Sequence, residues 1–148
     1  MASNTVKLNR IIRSTPEKLY RAFLDPDAIC KWSPPYGWTC KVDHIDAKVG
    51  GTYKMSFTNF TTQKSNSFGG KYIELIENEY IFHTDEFDDP AMPGTMQTKV
   101  TLKRVSVGTE LNIVQEGIPD VIPVEFCYLG WQESLDLLLK LVEPNISD

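Results

Sequence analysis

Between Val6 and Ile12 apolar and polar residues mostly alternate (Val-Lys-Leu-Asn-Arg-Ile-Ile), the two-residue period of a strand with one buried face. The period then changes. Ser14-Thr15-Pro16-Glu17 sets capping residues ahead of a proline and an acid, and Leu19, Ala22 and Phe23 recur at helical spacing until Asp25-Pro26. A second, shorter helical turn runs through Ala28, Ile29 and Lys31. It stops at Ser33-Pro34-Pro35-Tyr36-Gly37, because a residue before proline is pushed out of helical space. Strand patterns follow over 39–45, over 52–60 after Gly50-Gly51, and over 71–76 after Gly69-Gly70. Three more cover 80–86 after the Glu77-Asn78-Glu79 turn, 95–105, and 110–116 after Gly108-Thr109. Short connections between successive strands predict an antiparallel meander. The stretch 85–94, rich in Asp, Glu and Pro, reads as a solvated acidic loop.

The last element is helical. Over 123–143, Val124, Cys127 or Tyr128, Trp131, Leu135, Leu138 and Val142 fall on one stripe, widened by Leu137, Leu139 and Leu141. A helix of roughly 20 residues is about 30 Å long, and this much apolar surface requires it to lie across the sheet. Strand, two short helices, six strands and a long helix make an α+β architecture in a single domain spanning 1–148.

Composition narrows the partners. Fifteen Lys+Arg against 20 Asp+Glu give a net charge of −5, without the basic excess that phosphate neutralisation needs, so nucleic acid is not an expected partner. The richest apolar stretch, 135–142, is interrupted by Asp136 and Lys140 and falls short of a membrane span. The first residues carry no apolar signal-peptide segment, and three cysteines (Cys30, Cys40, Cys127) form neither an even framework nor a C-x-x-C pair. A reducing cytoplasm is the expected setting.

Four groups of residues then carry a resemblance: Ser14-Thr15-Pro16-Glu17 with Ala22-Phe23-Leu24-Asp25-Pro26; Trp32-Ser33-Pro34-Pro35-Tyr36-Gly37; Asp46-Ala47-Lys48-Val49-Gly50-Gly51-Thr52-Tyr53; and Gly130-Trp131-Gln132. In this order they resemble the family named for the activator of the heat shock protein 90 ATPase, within the START-like, polyketide-cyclase-like superfamily. The resemblance implies the helix-grip fold, in which a curved antiparallel sheet wraps the C-terminal helix and leaves a cavity between them. The eukaryotic co-chaperones of that name carry an additional N-terminal domain for which 148 residues have no room. Relatives in the wider superfamily bind lipids, hormones, polyketides or other hydrophobic molecules. The implied function is therefore binding of a hydrophobic or amphipathic small molecule. An enzyme of cyclase or hydrolase type in the same cavity and a chaperone-linked regulator are the alternatives, and a homodimer is a further possible assembly.

The family match also supplies the strand phase. It places Tyr53, Met55 and Phe57, then Tyr72 and Ile76, then Tyr80, Phe82 and Thr84, then Thr98, Val100 and Leu102, then Leu111, Ile113 and Gln115 on the inner face. Trp32, Tyr53, Met55, Phe57, Tyr72, Phe82, Thr98, Gln115, Trp131 and Leu135 are the candidate ligand-binding residues, with Trp32 or Trp38 near an opening. Inward aromatics are equally what a packed core uses. Gln115 carries more information, since a buried amide left unpaired costs ~1–3 kcal/mol. It is expected either to orient a ligand or to bond a Tyr or Thr across the sheet. His44 and His83 each precede an acid by two residues, which puts the pair on one strand face, but no third ligand at diagnostic spacing supports a metal. In this phase His83 points outward. Asp85-Glu86 reads as hydrated loop carboxylates, so no catalytic group, metal or cofactor is expected.

Overall fold

Asp25 ends one helix and begins the next, and this local chemistry sets the geometry of the N-terminal third. In a computed structural model describing residues 4–148, β1 (Val6–Ile12) is followed by α1 (Pro16–Leu24) and α2 (Pro26–Trp32). The Met1-Ala2 start of the chain lies outside the described residues. Thr15 Oγ1 accepts from Lys18 N at 3.2 Å to cap α1, and Asp25 Oδ1 accepts from Asp27 N at 2.9 Å and Ala28 N at 3.2 Å to cap α2. Each helix has proline at its start, where the missing N–H is not needed.

The sheet follows: β2 (Trp38–Ile45), β3 (Thr52–Asn59), β4 (Ser65–Ile76), β5 (Tyr80–Phe87), β6 (Met96–Val105) and β7 (Gly108–Glu116), then α3 (Val124–Val142). The seven strands lie in the order β1-β7-β6-β5-β4-β3-β2, every neighbouring pair antiparallel. The curved sheet wraps α3 in the helix-grip arrangement expected from the resemblance.

Two differences from the sequence reading matter for the site. First, β4 begins at Ser65, so Gly69-Gly70 lies inside the strand and not at its start. A Cβ at Gly69 would sit 2.5 Å from the Tyr53 carbonyl oxygen, and one at Gly70 would sit 1.7 Å from that of Thr84. Close backbone approach is what the glycines permit. Second, β4 carries an irregularity between Tyr72 and Glu74, where Ile73 is an extra residue. Tyr72 faces inward opposite His83, but beyond the bulge the alternation inverts, so Leu75 takes the inner side and Ile76 is exposed at 42%. Because Ile76 pairs with Tyr80, the inversion carries into β5. There Ile81, His83 and Asp85 face inward, and the expected inward set Tyr80, Phe82 and Thr84 faces out.

The core divides the space between sheet and helix. Leu135, Leu138 and Val142 of α3, each at most 2% exposed, join Ile12, Leu19, Ile81, Val100, Leu102, Leu111 and Ile113 in one buried cluster. That half is packed. The other half, under the N-terminal turns of α3, is hollow.

Candidate functional site

Four residues of α3, Cys127, Gly130, Trp131 and Ser134, stand at spacings of three and four and so share a face over the hollow. The cavity beneath them has a volume of about 390 Å³. Its walls come from α1 and α2 (Phe23, Ile29, Trp32), β3 (Tyr53, Met55, Phe57), β4 (Phe68, Tyr72) and β5 (Phe87). The Pro-rich loop after α2 is tied to α3 at one side of it: Ser134 Oγ donates to the Ser33 carbonyl at 2.6 Å, Tyr36 N to Glu133 at 3.1 Å, and the Tyr36 hydroxyl to Asp136. Outside the lining, Cys30 of α2 and Cys40 of β2 bring their thiols to 3.1 Å, and burial raises the Cys40 thiol pKa above its ordinary value.

Apolar as these walls are, the cavity has a polar floor organised around one carboxylate. Asp85, 6% exposed, accepts at Oδ2 from Thr98 Oγ1 at 2.6 Å, and at Oδ1 from the Tyr53 hydroxyl and from His83 Nδ1 at 3.0 Å. Behind Thr98 the chain of donors continues: Gln115 Nε2 donates to Thr98 Oγ1 at 3.2 Å, and Trp131 Nε1 donates to Gln115 Oε1 at 3.0 Å. Residues from β3, β5, β6, β7 and α3 thus form one network in which each donor leads toward Asp85. Three donors on a buried carboxylate favour its charged form.

Electrostatics follow from this arrangement. Burial alone would raise the Asp85 pKa, but the adjacent His83 and the hydrogen bonds from His83, Thr98 and Tyr53 outweigh it and hold the group below its ordinary 3.8. Burial would lower His83, yet the Asp85 charge, its hydrogen bond and that of the Thr84 carbonyl leave the imidazole above its ordinary 6.5. Burial and the Asp85 charge push both Tyr53 and Tyr72 upward, so both stay protonated donors. A raised histidine stabilises the fold fully below its unfolded value and loses that contribution as pH climbs through its folded value. A lowered aspartate stabilises above its unfolded value and loses that contribution as pH falls through its folded one. Stability is therefore expected to be greatest from about pH 4 to about pH 6.5 with respect to this pair, falling on both sides. Melting temperature measured against pH checks this: His83→Gln should remove the alkaline limb and, by taking away the charge that lowers Asp85, diminish the acid limb as well.

Eight of the ten candidate ligand-binding residues line the cavity: Trp32, Tyr53, Met55, Phe57, Tyr72, Thr98, Gln115 and Trp131. Two do not. Phe82 lies on the outer face, with Lys99 Nζ 5.2 Å from its ring centre, because the β4 bulge inverts the phase of β5. Leu135 is fully buried in the packed half of the helix interface. Of the two tryptophans expected near an opening, Trp32 is 4% exposed, donating Nε1 to the Ala22 carbonyl at 2.8 Å and packing 4.7 Å from the Phe23 ring, whereas Trp38 is a half-buried residue of the lining. His83 does not point outward, and Asp85 is no loop carboxylate: both are inward residues of β5. The His-Thr-Asp spacing did place the two on one face, and that spacing was the available signal for the pair. Gln115 bonds Thr98 across the sheet, one of the two roles expected of it. His44 is exposed, with Nε2 2.9 Å from Thr52 Oγ1. Among the described residues no three His, Cys, Asp or Glu side chains are grouped to hold a metal ion, and no helix is long and apolar enough to cross a membrane.

A curved antiparallel sheet gripping a C-terminal helix over a lined cavity defines a START-like domain. Within that class, the family model described as activator of Hsp90 ATPase homolog 1-like protein matches residues 13–143, and the chain belongs to this family. A crystal structure of a protein from Chromobacterium violaceum is similar, with a TM-score of 0.95 and 55% sequence identity over 96% of this chain and 99% of that one. A Rhodobacter sphaeroides protein shares the fold at a TM-score of 0.83 and 19% identity, covering 93% of this chain and 90% of that one. So does the AHSA1-like protein from Aeromonas hydrophila, at 0.77 and 19%, covering 94% and 92%. No curated protein matches the chain.

Proposed function

We propose that this chain is a binding domain that holds a hydrophobic or amphipathic small molecule between its sheet and α3, in a reducing compartment such as the cytoplasm. The observation that carries the reading is the cavity of about 390 Å³, walled by aromatic and aliphatic side chains, with six of its polar side chains joined in the network around Asp85. Such a combination of apolar walls and few convergent polar groups is how small-molecule sites are built. The cavity also persists where the sequence could have filled it: a Cβ at Gly130, on the cavity face of α3, would meet nothing within 4 Å.

A thermal-shift screen against fatty acids, sterols, flavonoids and polyketides tests the proposal. A ligand at 100 times its dissociation constant stabilises by ~2.7 kcal/mol, which for a chain of this size raises the melting temperature by roughly 5–10 °C. Gly130→Leu, which places a side chain in the void without touching the polar floor, should fold at least as stably and lose the shift. A flat screen with folded protein overturns the binding reading and turns the search to a protein partner. The His83–Asp85 pair favours one second reading, an enzyme of cyclase or hydrolase type in which His83 acts as general base. Turnover of an aromatic polyketide or an ester, abolished by His83→Gln, would establish it.

A further inference from the structure

The polar floor is saturated on one side and open on the other. Asp85 already receives three donors, Thr98 and Gln115 are bonded to each other, and the Trp131 indole is committed to Gln115. Tyr53 spends its hydroxyl on Asp85, with the Thr84 carbonyl 3.1 Å away. Beside this network His83 Nε2 and the Tyr72 hydroxyl have no protein partner among the described residues; the Trp38 indole, the Asn66 amide and the Ser33 hydroxyl, elsewhere in the lining, are likewise without one. None of these atoms is sealed in, because no described buried side-chain nitrogen or oxygen lacks a partner. His83 and Tyr72 belong to the cavity wall, they pair directly across β4 and β5, and their rings lie 5.9 Å apart at 74°. The two residues therefore stand on adjacent strands with neighbouring rings in the wall of an apolar chamber.

We propose that this floor receives the acidic head of the ligand, so that the molecule bound is a hydrophobic carboxylic acid whose carboxylate accepts hydrogen bonds from His83 Nε2 and the Tyr72 hydroxyl. This deepens the binding reading above and rests on it. Asp85 holds the opposite nitrogen, Nδ1, and so orients the ring with Nε2 toward the cavity. In its protonated form the imidazole presents Nε2–H as a donor, and the raised His83 pKa enlarges that form near neutral pH. The Tyr72 hydroxyl stays protonated to much higher pH and supplies a second donor. Donors so placed match an acceptor with two oxygens. A neutral alcohol would satisfy them less well, since hydrogen bonds to charged groups are roughly twice as strong. The titratable groups facing His83 are Asp85 on its own strand, Tyr53 on β3 and Tyr72 on β4. Cys127 of α3 is the remaining titratable group of the wall, and β6 and β7 bring only Met96, Thr98 and Gln115 to it.

The experiment compares matched probes on the full chain by isothermal calorimetry: decanoate against decan-1-ol, and 2-naphthoate against 2-naphthamide, at pH 6 and pH 9. Each acid is expected to bind about tenfold or more tightly than its neutral partner at pH 6, the size of one charge-assisted hydrogen bond. The preference should shrink at pH 9 as His83 loses its proton. His83→Gln should abolish the pH dependence, and Tyr72→Phe, which leaves the ring in place, should weaken the acid by several-fold while leaving the neutral probe unchanged. Neutral probes binding as tightly as the acids, or an acid preference whose size and pH dependence are unchanged in His83→Gln, overturns the carboxylate proposal and leaves the cavity reading standing. Failure of all four probes to bind the folded protein overturns both.

Discussion

Asp85→Ala is expected to remove about 3–5 kcal/mol of folding stability, the usual consequence of deleting one member of a buried charged pair. The magnitude has a structural reason. The carboxylate is the common acceptor for His83, Tyr53 and Thr98, and Thr98 in turn anchors Gln115 and the Trp131 indole. Without Asp85, three donors on three strands lose their acceptor in a space with few replacements. Asp85→Asn should be milder, since the amide still accepts at one atom but must turn an N–H toward one of the former donors. Urea denaturation measures both losses. The same variants carry a spectroscopic signature: with its countercharge gone, His83 keeps only the Thr84 carbonyl against burial, the largest of its causes, and its titration followed by NMR should move downward. A loss under 1 kcal/mol together with an unmoved histidine would dismiss the network as the keystone of this half of the fold.

Gly70→Ala is the second change with a large expected effect, above about 3 kcal/mol. One methyl group is a small addition, but its position leaves no accommodation by side-chain rotation. It would lie 1.7 Å from the Thr84 carbonyl oxygen and 3.0 Å from the Tyr53 ring. Relief requires β4 and β5 to part at the point where β5 presents His83 and Asp85. Stability and the polar floor should therefore fail together: a reduced denaturation midpoint, and loss of any acid preference among ligands. Gly130→Ala, on an open helical face, is the control and should be neutral or slightly stabilising.

The reason this floor was hard to read from the chain is specific. Most elements announce themselves: Pro16 and Pro26 mark helix starts, Asp25 caps, and the stripe through Trp131, Leu135, Leu138 and Val142 is that of a helix crossing a sheet. The inner faces of β3, β6 and β7 follow simple alternation, which is why Tyr53, Met55, Thr98 and Gln115 were legible. Strand β4 is different, because a bulge leaves no mark in a run such as Tyr-Ile-Glu-Leu-Ile. Ile73 is apolar and β-branched, so it suits either face. Miscounting that one residue turns the next strand over, hides His83 and brings out Phe82. Asp85 was obscured for another reason. Followed by Glu86, Asp88, Asp89 and Pro90, it looks like the start of a hydrated loop, and only the donors supplied by other strands make a buried carboxylate tolerable there.

The placement of β1 next to β7 also governs how the molecule is assembled. Val6 pairs with Gln115 and Ile12 with Thr109, so the first strand waits for a partner roughly a hundred residues downstream. Contacts this distant in sequence slow the search for the native topology, because the loop must close before the pairing rewards it. The meander from β2 to β6 can pair neighbour to neighbour as it is synthesised, yet its concave aromatic side stays uncovered until α3 emerges. During that interval Phe57, Phe68, Tyr72 and Phe87 face outward from an unfinished sheet whose β7 edge is still vacant. Refolding in vitro should accordingly be most prone to aggregation at this stage, and the helix that closes the chamber is also what ends the exposure.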